Sequence, residues 1–339
     1  MKSLINKLLL VFAASLALAC AQQRPFGTPI QLIFDTDLGN DVDDAIAMGM
    51  LYNYAEQSLV DVLAEGISKN GDAPARYMDI LNHWYGFDNI PVGVISEGAD
   101  CETDAVNYAR AVADLTDGSG NPVFAQSRGF DLNSLPPAHL LYRKILAKAE
   151  DNSVVFVTVG FSTNMARLLE SPADEFSDLP GKELVRRKVK KLVMMAGCFN
   201  GTNKSEYNVW KDIPSAQKVV SDWETEIVFL PFELGIQVCY PAGSILNDFD
   251  PAVPHPVVEA YKAYLPMPYD RPCWDPAALV YAVEGEKYFD ISPCGVIAIN
   301  DEGTTSFTAD QKGLHRYLMI DSEKAGKLTA RIVELLTSK

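Results

Sequence analysis

Basic residues are the first shortage in this 339-residue chain: 29 Lys and Arg stand against 45 Asp and Glu, a formal charge of −16. A protein that grips nucleic acid regardless of sequence needs a basic face to displace phosphate counterions, so that class is excluded. The densest basic run, Arg186-Arg187-Lys188-Val189-Lys190-Lys191, directly precedes an apolar stretch and reads as a solvated helix end. Histidine is scarce, with four residues in all. His83 falls on an expected helix, His139 starts one, His255 lies between prolines and His315 is near the C-terminus, so each reads as structural or surface rather than catalytic. There are six cysteines, and no two are spaced C-x-x-C. Zinc and thioredoxin-like sites are therefore disfavoured, and most of the cysteines read as small buried hydrophobes. Internal repeats, low-complexity stretches and an obvious interdomain linker are also lacking. What remains, 48% hydrophobic and 22% charged, is a globular composition with ample sequence for a large core, which excludes wholesale disorder.

The one membrane-like run, Leu8 to Ala19, is twelve mostly apolar residues behind Lys2 and Lys7. It is too short to span a bilayer as a helix and has the length of a signal-peptide core. Residues 1–21 are thus an expected export signal of a bacterial protein. Its exit has two readings: Ala17-Leu18-Ala19-Cys20 as a lipobox that would leave a lipid anchor at Cys20, or cleavage before Gln22. Either places the protein in the periplasm or on its bounding membranes, where disulfides are permitted.

Residues 26–339 read as a single domain. Strands are predicted at Pro29–Phe34, Val60–Ser68, Pro91–Ile95, Val154–Val159, Lys191–Met195 and Glu226–Leu230. Helices are predicted at Asp43–Tyr54, Ala73–Tyr85, Asp104–Ala113, His139–Ala149, from Thr163 and at Pro214–Asp222. In the first of these, Ala45, Met48, Leu51 and Tyr52 recur near the helical period. The alternation predicts an α/β fold, an open, mostly parallel sheet flanked by helices. Leu115–Pro137 and Leu246–Pro272 read as loopy insertions. In such sheets ligands bind beyond the carboxyl ends of the strands, so the residues just after each strand are the ones to read for chemistry.

After the first strand comes DTDLGNDVDDAIA, with Asp35, Asp37, Asp41, Asp43 and Asp44 within ten residues. That much like charge costs energy unless a cation or hydrogen bonds compensate. Gly39 permits a tight turn, and Asp43 and Asp44 sit at a helix start, which favours anions. Oxygen-only donors point to a hard cation, Ca²⁺ or Mg²⁺. An EF-hand loop from Asp35 fails, because its sixth and twelfth positions hold Asn40 and Ile46. Asp35-Thr36-Asp37 also resembles the start of an aspartyl-nucleophile phosphatase, but that motif does not explain the acidic helix start.

The segment resembles the signature of inosine–uridine-preferring nucleoside hydrolases, DTDPGxDDAxA, with Leu38 for the Pro and two extra residues before the paired aspartates. Three further segments follow in the family's order. Val159-Gly160-Phe161-Ser162-Thr163-Asn164 is similar to V-G-P-L-T-N. Val193–Gly197, Asn200 and Glu206-Tyr207-Asn208 are similar to the V-L-M-G-G and A-E-F-N region. Trp274-Asp275-Pro276 is similar to a late H-D motif that opens a helix.

The resemblance implies one nucleoside-hydrolase-like domain that hydrolyses the N-glycosidic bond of ribonucleosides or related ribosides. It implies Ca²⁺ held by Asp37, Asp44, Asp275 and the carbonyl of Val159, with Asp41 competing for a place among the acids. Asp37 would be the catalytic base. Asp43, Asn70, Asn200, Glu206 and Asn208 would hold the ribose, although Asn70 also fits a plain turn with Gly71. Asn164 also fits a brace for the helix that follows. Trp274 replaces the family's His, a general acid, and an indole cannot protonate a leaving group. Arg271 and Tyr269 lie near it in sequence, and Trp274, Phe161 and Trp210 are candidates to stack on the aglycone. The family also implies a homo-oligomer, a dimer or tetramer. A non-catalytic calcium- and sugar-binding protein on the same scaffold is the second reading.

Overall fold

The computed structural model describes residues 27–99, 107–127, 134–202 and 204–338. The expected signal segment, Cys20 and Cys101 lie outside them. Strands form where β-branched and apolar residues cluster: β1 (Ile30–Thr36), β2 (Val60–Ile67), β3 (Val92–Val94), β4 (Val154–Thr158), β5 (Val189–Met195), β6 (Glu226–Leu230), β7 (Cys239–Tyr240), β8 (Arg271–Pro272), β9 (Asp290–Ile291), β10 (Gly295–Ile299), β11 (Thr305–Ala309) and β12 (His315–Met319). Ten of them make one sheet in the order β11-β10-β12-β6-β5-β4-β1-β2-β3, with β9 paired to β12. The β3–β2–β1–β4–β5–β6–β12 stretch is parallel throughout, and β10 and β11 extend it antiparallel. The short strands β7 and β8 pair separately. This is the expected α/β architecture, lengthened at one edge by a hairpin that the sequence reading did not resolve.

Alternating side chains of the parallel strands feed two cores, one on each face of the sheet. Leu32, Phe34, Val155, Val157, Val193, Met195, Val228 and Leu230 point to one. Ile33, Phe156, Leu192, Met194, Ile227 and Phe229 point to the other. The first face carries the helices Asp43–Glu56, Trp274–Glu284 and Ser322–Leu336. The Asp43–Glu56 helix was expected to bury one stripe. Instead every residue from Asp43 to Tyr54 is buried, as in a helix enclosed on all sides, which explains why apolar residues occupy nearly every position of AIAMGMLYNY.

The chain builds β1 to β3 toward one edge and then returns to lay β4 on the other side of β1. That reversal opens a crevice at the carboxyl ends of β1 and β4. Two boundaries differ from expectation. β1 runs two residues further, through Asp35 and Thr36. The stretch read as an insertion over Leu246–Pro272 contains the helix Pro256–Tyr264, capped by His255 with Pro256 at its first position. A proline at the first helical position is compatible with a helix start. The basic run behaves as read: Arg186, Arg187 and Lys188 end the helix Gly181–Lys188 and pair with acids such as Glu224 and Asp151. Among the described residues, no helix is long and apolar enough to cross a membrane, and Cys198, Cys239, Cys273 and Cys294 are free thiols.

Candidate functional site

A cavity of about 490 Å³ lies at that crevice. It is lined by Asp37, Asn40, Asp41, Asp43 and Asp44 from the segment after β1, Val159 after β4, Met195 of β5, and Glu206, Tyr207 and Asn208 beyond it. Phe232, Tyr264, Arg271, Trp274 and Asp275 complete the lining.

The alternation of β1 separates its two aspartates. Asp35 points into the opposite face, where it accepts hydrogen bonds from Tyr142 Oη, Asn164 Nδ2 (2.8 Å) and Thr158 Oγ1 (3.5 Å). Burial raises its carboxyl to about 6, and those donors pull the other way. Asn164 also donates to the carbonyl of Ile67 (3.1 Å), so it braces strand ends and does not reach the cavity.

Asp37 does reach the cavity. Its Oδ2 accepts from Asn40 Nδ2 (2.7 Å), whose amide oxygen in turn accepts from Lys69 Nζ. Burial lifts Asp37 to about 6, while Asn40 and the Lys69 charge oppose the rise. Gly39 turns the chain here with φ +115°, a left-handed value that favours glycine, and its N–H donates to Tyr108 Oη (2.8 Å).

The paired aspartates open the enclosed helix and divide their work. Asp44 Oδ1 accepts from Thr36 Oγ1. Asp43 Oδ2 accepts from the backbone N–H groups of Trp274 (2.8 Å) and Asp275 (3.1 Å). It thus caps the Trp274–Glu284 helix and locks the two segments together. Asp275 follows in that helix's first turn, buried beside them. Burial, then repulsion among the acids, raises Asp43, Asp44 and Asp275 well above the usual carboxylate range.

Glu206 and Asn208 are held as firmly. Both oxygens of Glu206 accept backbone N–H groups, from Asn208 (2.9 Å), Val209 (3.2 Å) and Gly197 (3.3 Å). Burial nonetheless raises it to about 7. Asn208 Nδ2 donates to the carbonyls of Val159 (2.8 Å) and Met195 (3.1 Å), tying the ends of β4 and β5 together.

Eight of the sequence-derived residues therefore share one cavity: Asp37, Asp43, Asp44, Val159, Glu206, Asn208, Trp274 and Asp275. Two do not. Asn70 spends its amide on the backbone of Gly98, and Asn200 accepts from Thr202 N–H and Cys198 Sγ within its own loop. Neither lines the cavity. Phe161 is fully buried and Trp210 is exposed outside the lining, so of the three candidate aromatics only Trp274 borders the cavity. Tyr269 stacks on Tyr261 (4.4 Å between ring centres) and donates to its carbonyl. The reading missed Phe232, Tyr264 and the part played by Arg271, which come from segments without strand-end motifs, and it did not single out Met195 within the Val193–Gly197 motif.

The donor set suits a hard cation. Four buried carboxylates, Asp37, Asp43, Asp44 and Asp275, face a cavity in whose lining Arg271 is the only cationic residue among the described residues, and oxygen donors of this kind select Ca²⁺ or Mg²⁺. Among the described residues, no three His, Cys, Asp or Glu side chains converge as a closed ligand group.

Gly160 makes the approach of β4 to Asp37 possible. A Cβ there would sit 2.5 Å from the Asp37 nitrogen and 2.9 Å from its Cβ. Gly160→Ala is expected to fold with a loss of about 1–3 kcal/mol as the Asp37 backbone is pushed away. Thermal unfolding checks this, and an unchanged melting temperature would show that the contact is not tight.

The family model described as inosine-uridine preferring nucleoside hydrolase matches residues 32–333. No curated protein matches the chain in sequence. Among solved structures, a purine-preferring ribonucleoside hydrolase from Gardnerella vaginalis is similar at TM-score 0.67 and 16% identity, covering 91% of this chain and 100% of its own. The inosine-uridine preferring nucleoside hydrolase from Bacillus anthracis is similar at TM-score 0.64 and 16% identity, covering 90% and 99%. A type III effector protein, XopQ, complexed with adenosine diphosphate ribose, is similar at TM-score 0.62 and 14% identity, covering 93% and 95%. At these identities the structures establish the shared fold.

Proposed function

The chain belongs to the inosine-uridine preferring nucleoside hydrolase family, whose members hydrolyse N-glycosidic bonds, and on that premise we propose that it is a calcium-dependent ribohydrolase. Its substrates are ribonucleosides or related ribosides, cleaved to ribose and the free base. The observation that carries this reading is the meeting, in one cavity, of residues from four separate strand-end segments.

Asp37, Asp44, Asp275 and the carbonyl of Val159 are the groups that would hold the ion. When bound, calcium would supply charge that orients a water and the sugar's vicinal hydroxyls and acidifies that water. Calcium is a weak acidifier, so Asp37 takes the water's proton as oxygen approaches the anomeric carbon. Asp43 and Glu206 are pinned by backbone N–H groups, which leaves them preorganised to receive ribose hydroxyls. Asn208 serves chiefly to hold the Val159 carbonyl in place. The transition state is oxocarbenium-like, as in other glycoside hydrolysis. If the segment 1–21 acts as an export signal, the substrates are environmental nucleosides.

The form starting at Gln22 tests this with p-nitrophenyl riboside and Ca²⁺, with and without EDTA. Nitrophenolate leaves without a proton donor, so the assay does not depend on the His that Trp274 replaces. EDTA-sensitive turnover is the expected result. A folded, calcium-bound protein without turnover would favour the sugar-binding alternative, which the presence of Trp274 at that position supports.

A further inference from the structure

Bond cleavage needs something to stabilise the charge that the leaving group carries away, and the His that serves the family as proton donor is replaced here by Trp274. None of the four histidines borders the cavity. Trp274 has a single side-chain N–H, and it is spent on the carbonyl of Phe232 (2.8 Å). The indole cannot turn to free it: it stacks on Phe232 and packs so closely over Gly235 that a Cβ there would lie 2.1 Å from the ring.

Among the described residues Arg271 is the only cation of the lining, and its position is fixed from several sides. Its backbone pairs with Tyr240 in the β7–β8 ribbon. Nε and Nη2 both donate to the Asp41 carboxylate, Nε at 2.7 Å. The guanidinium carbon lies 5.0 Å from the centre of the Tyr264 ring and 5.5 Å from that of Trp274, within the range of cation–π attraction. Nη1 has no acceptor among the described residues. Asp41 belongs to the lengthened loop between Gly39 and Asp43. The longer loop and the Trp are thus two departures from the family signature that meet at one guanidinium.

We infer that Arg271, oriented by Asp41 and by the rings of Tyr264 and Trp274, stabilises the leaving group by hydrogen bonding to an aglycone that departs as an anion. The inference rests on the hydrolase reading above. A guanidinium stays protonated, so this is stabilisation of charge and not proton donation. The bond between the anomeric carbon and the aglycone breaks, and its electron pair leaves with the aglycone, delocalised onto an oxygen or ring nitrogen facing Nη1. The water oxygen bonds to the anomeric carbon, its proton passes to Asp37, and the released anion is protonated by solvent. The substrates are therefore ribosides of acidic aglycones, phenol-like or enol-like in charge distribution.

Arg271→Gln and Arg271→Lys, saturated with Ca²⁺, test this on two aglycones of different acidity, 4-nitrophenyl riboside and unsubstituted phenyl riboside. For Arg271→Gln, kcat/KM should fall less than about tenfold on the nitrophenyl compound and by about 10²–10³-fold on the phenyl compound. Millimolar methylguanidine should restore part of the phenyl activity. Arg271→Lys keeps charge without the fork and should give a smaller loss with the same selectivity, a pattern that holds the test open should Arg271→Gln fail to fold. Equal losses on both substrates would overturn the inference and make Arg271 a structural partner of Asp41. Wild-type protein inactive on both would instead overturn the hydrolase reading itself.

Discussion

Protein carrying Asp37→Asn is expected to fold and to hydrolyse p-nitrophenyl riboside about 10³-fold more slowly than the wild type at saturating Ca²⁺, the loss typical of a removed general base. The effect should appear in kcat. The substitution leaves an oxygen on the same branch of the cavity, and Asn40 remains available to orient it. Saturating Ca²⁺ is needed because the variant also lacks one of the charges proposed to hold the ion. Calcium affinity by calorimetry and thermal unfolding separate the two effects. Full activity with calcium bound would remove Asp37 from its role as base.

The second large effect concerns stability, pH and the ion together. Asp37 is raised from 3.8 to about 6 and Glu206 from 4.5 to about 7, and Asp43, Asp44 and Asp275 are raised by burial and mutual repulsion. An acid with a raised folded pKa keeps its proton in the native state where the unfolded chain has lost it. Stability must then fall as pH rises through that interval. Metal-free protein is thus expected to be most stable near pH 4–5 and to lose stability toward pH 7, at about 1.4 kcal/mol per pH unit for each proton retained. Acids lowered by ion pairs, such as Asp151, Asp174 and Asp222, act in the opposite sense. Their contribution is lost only as pH drops through and below the unfolded carboxylate value, beneath this window. Calcium favours the ionised acids, so at one hundred times its dissociation constant it should add about 2.7 kcal/mol, with the gain growing toward neutral pH. Melting temperatures from pH 4.5 to 7.5, with EDTA and with Ca²⁺, check the sign. A metal-free protein that becomes more stable from pH 5 to 7 would mean that the cluster is neutralised by some other means.

How much of this was legible in the sequence follows from where each residue sits. Strand-end residues were readable because parallel strands announce themselves as apolar runs, and in an open parallel sheet their carboxyl ends border the crevice. Asp37 was picked out that way, while Val159, Glu206 and Asn208 were named from the resemblance to the family's motifs. Asp43 and Asp44 were readable because acids at a helix start carry a physical signature, and Asp275 was named from the resemblance to the family's late motif. Asp35 shows the limit: it is as close to the motif as Asp37, but one step of strand alternation sends it to the opposite core, and the extra length of β1 was not evident. Asn70 and Asn200 lie outside the cavity, and a loop amide that closes its own turn looks, in sequence, like one that faces a ligand. Arg271, Tyr264 and Phe232 lie on short helices, a two-residue strand and turns rich in proline, where no periodicity develops. Their meeting is a product of tertiary packing alone. The edge hairpin β10–β11 escaped because strands of five residues with exposed alternate positions carry a weak signal.

The helix Asp43–Glu56 has a bearing on how the protein could be altered. Its first residues are site acids, and its next ten are core on every side. Randomising positions along it would therefore yield mostly unfolded clones, and the part of the cavity it lines is effectively closed to variation. Another part of the lining is different. Phe232, Tyr264 and Arg271 sit on short segments tied down by a two-residue ribbon and a few side-chain contacts. A combinatorial library directed at those three positions should return many folded members, and new leaving-group preferences are to be sought there.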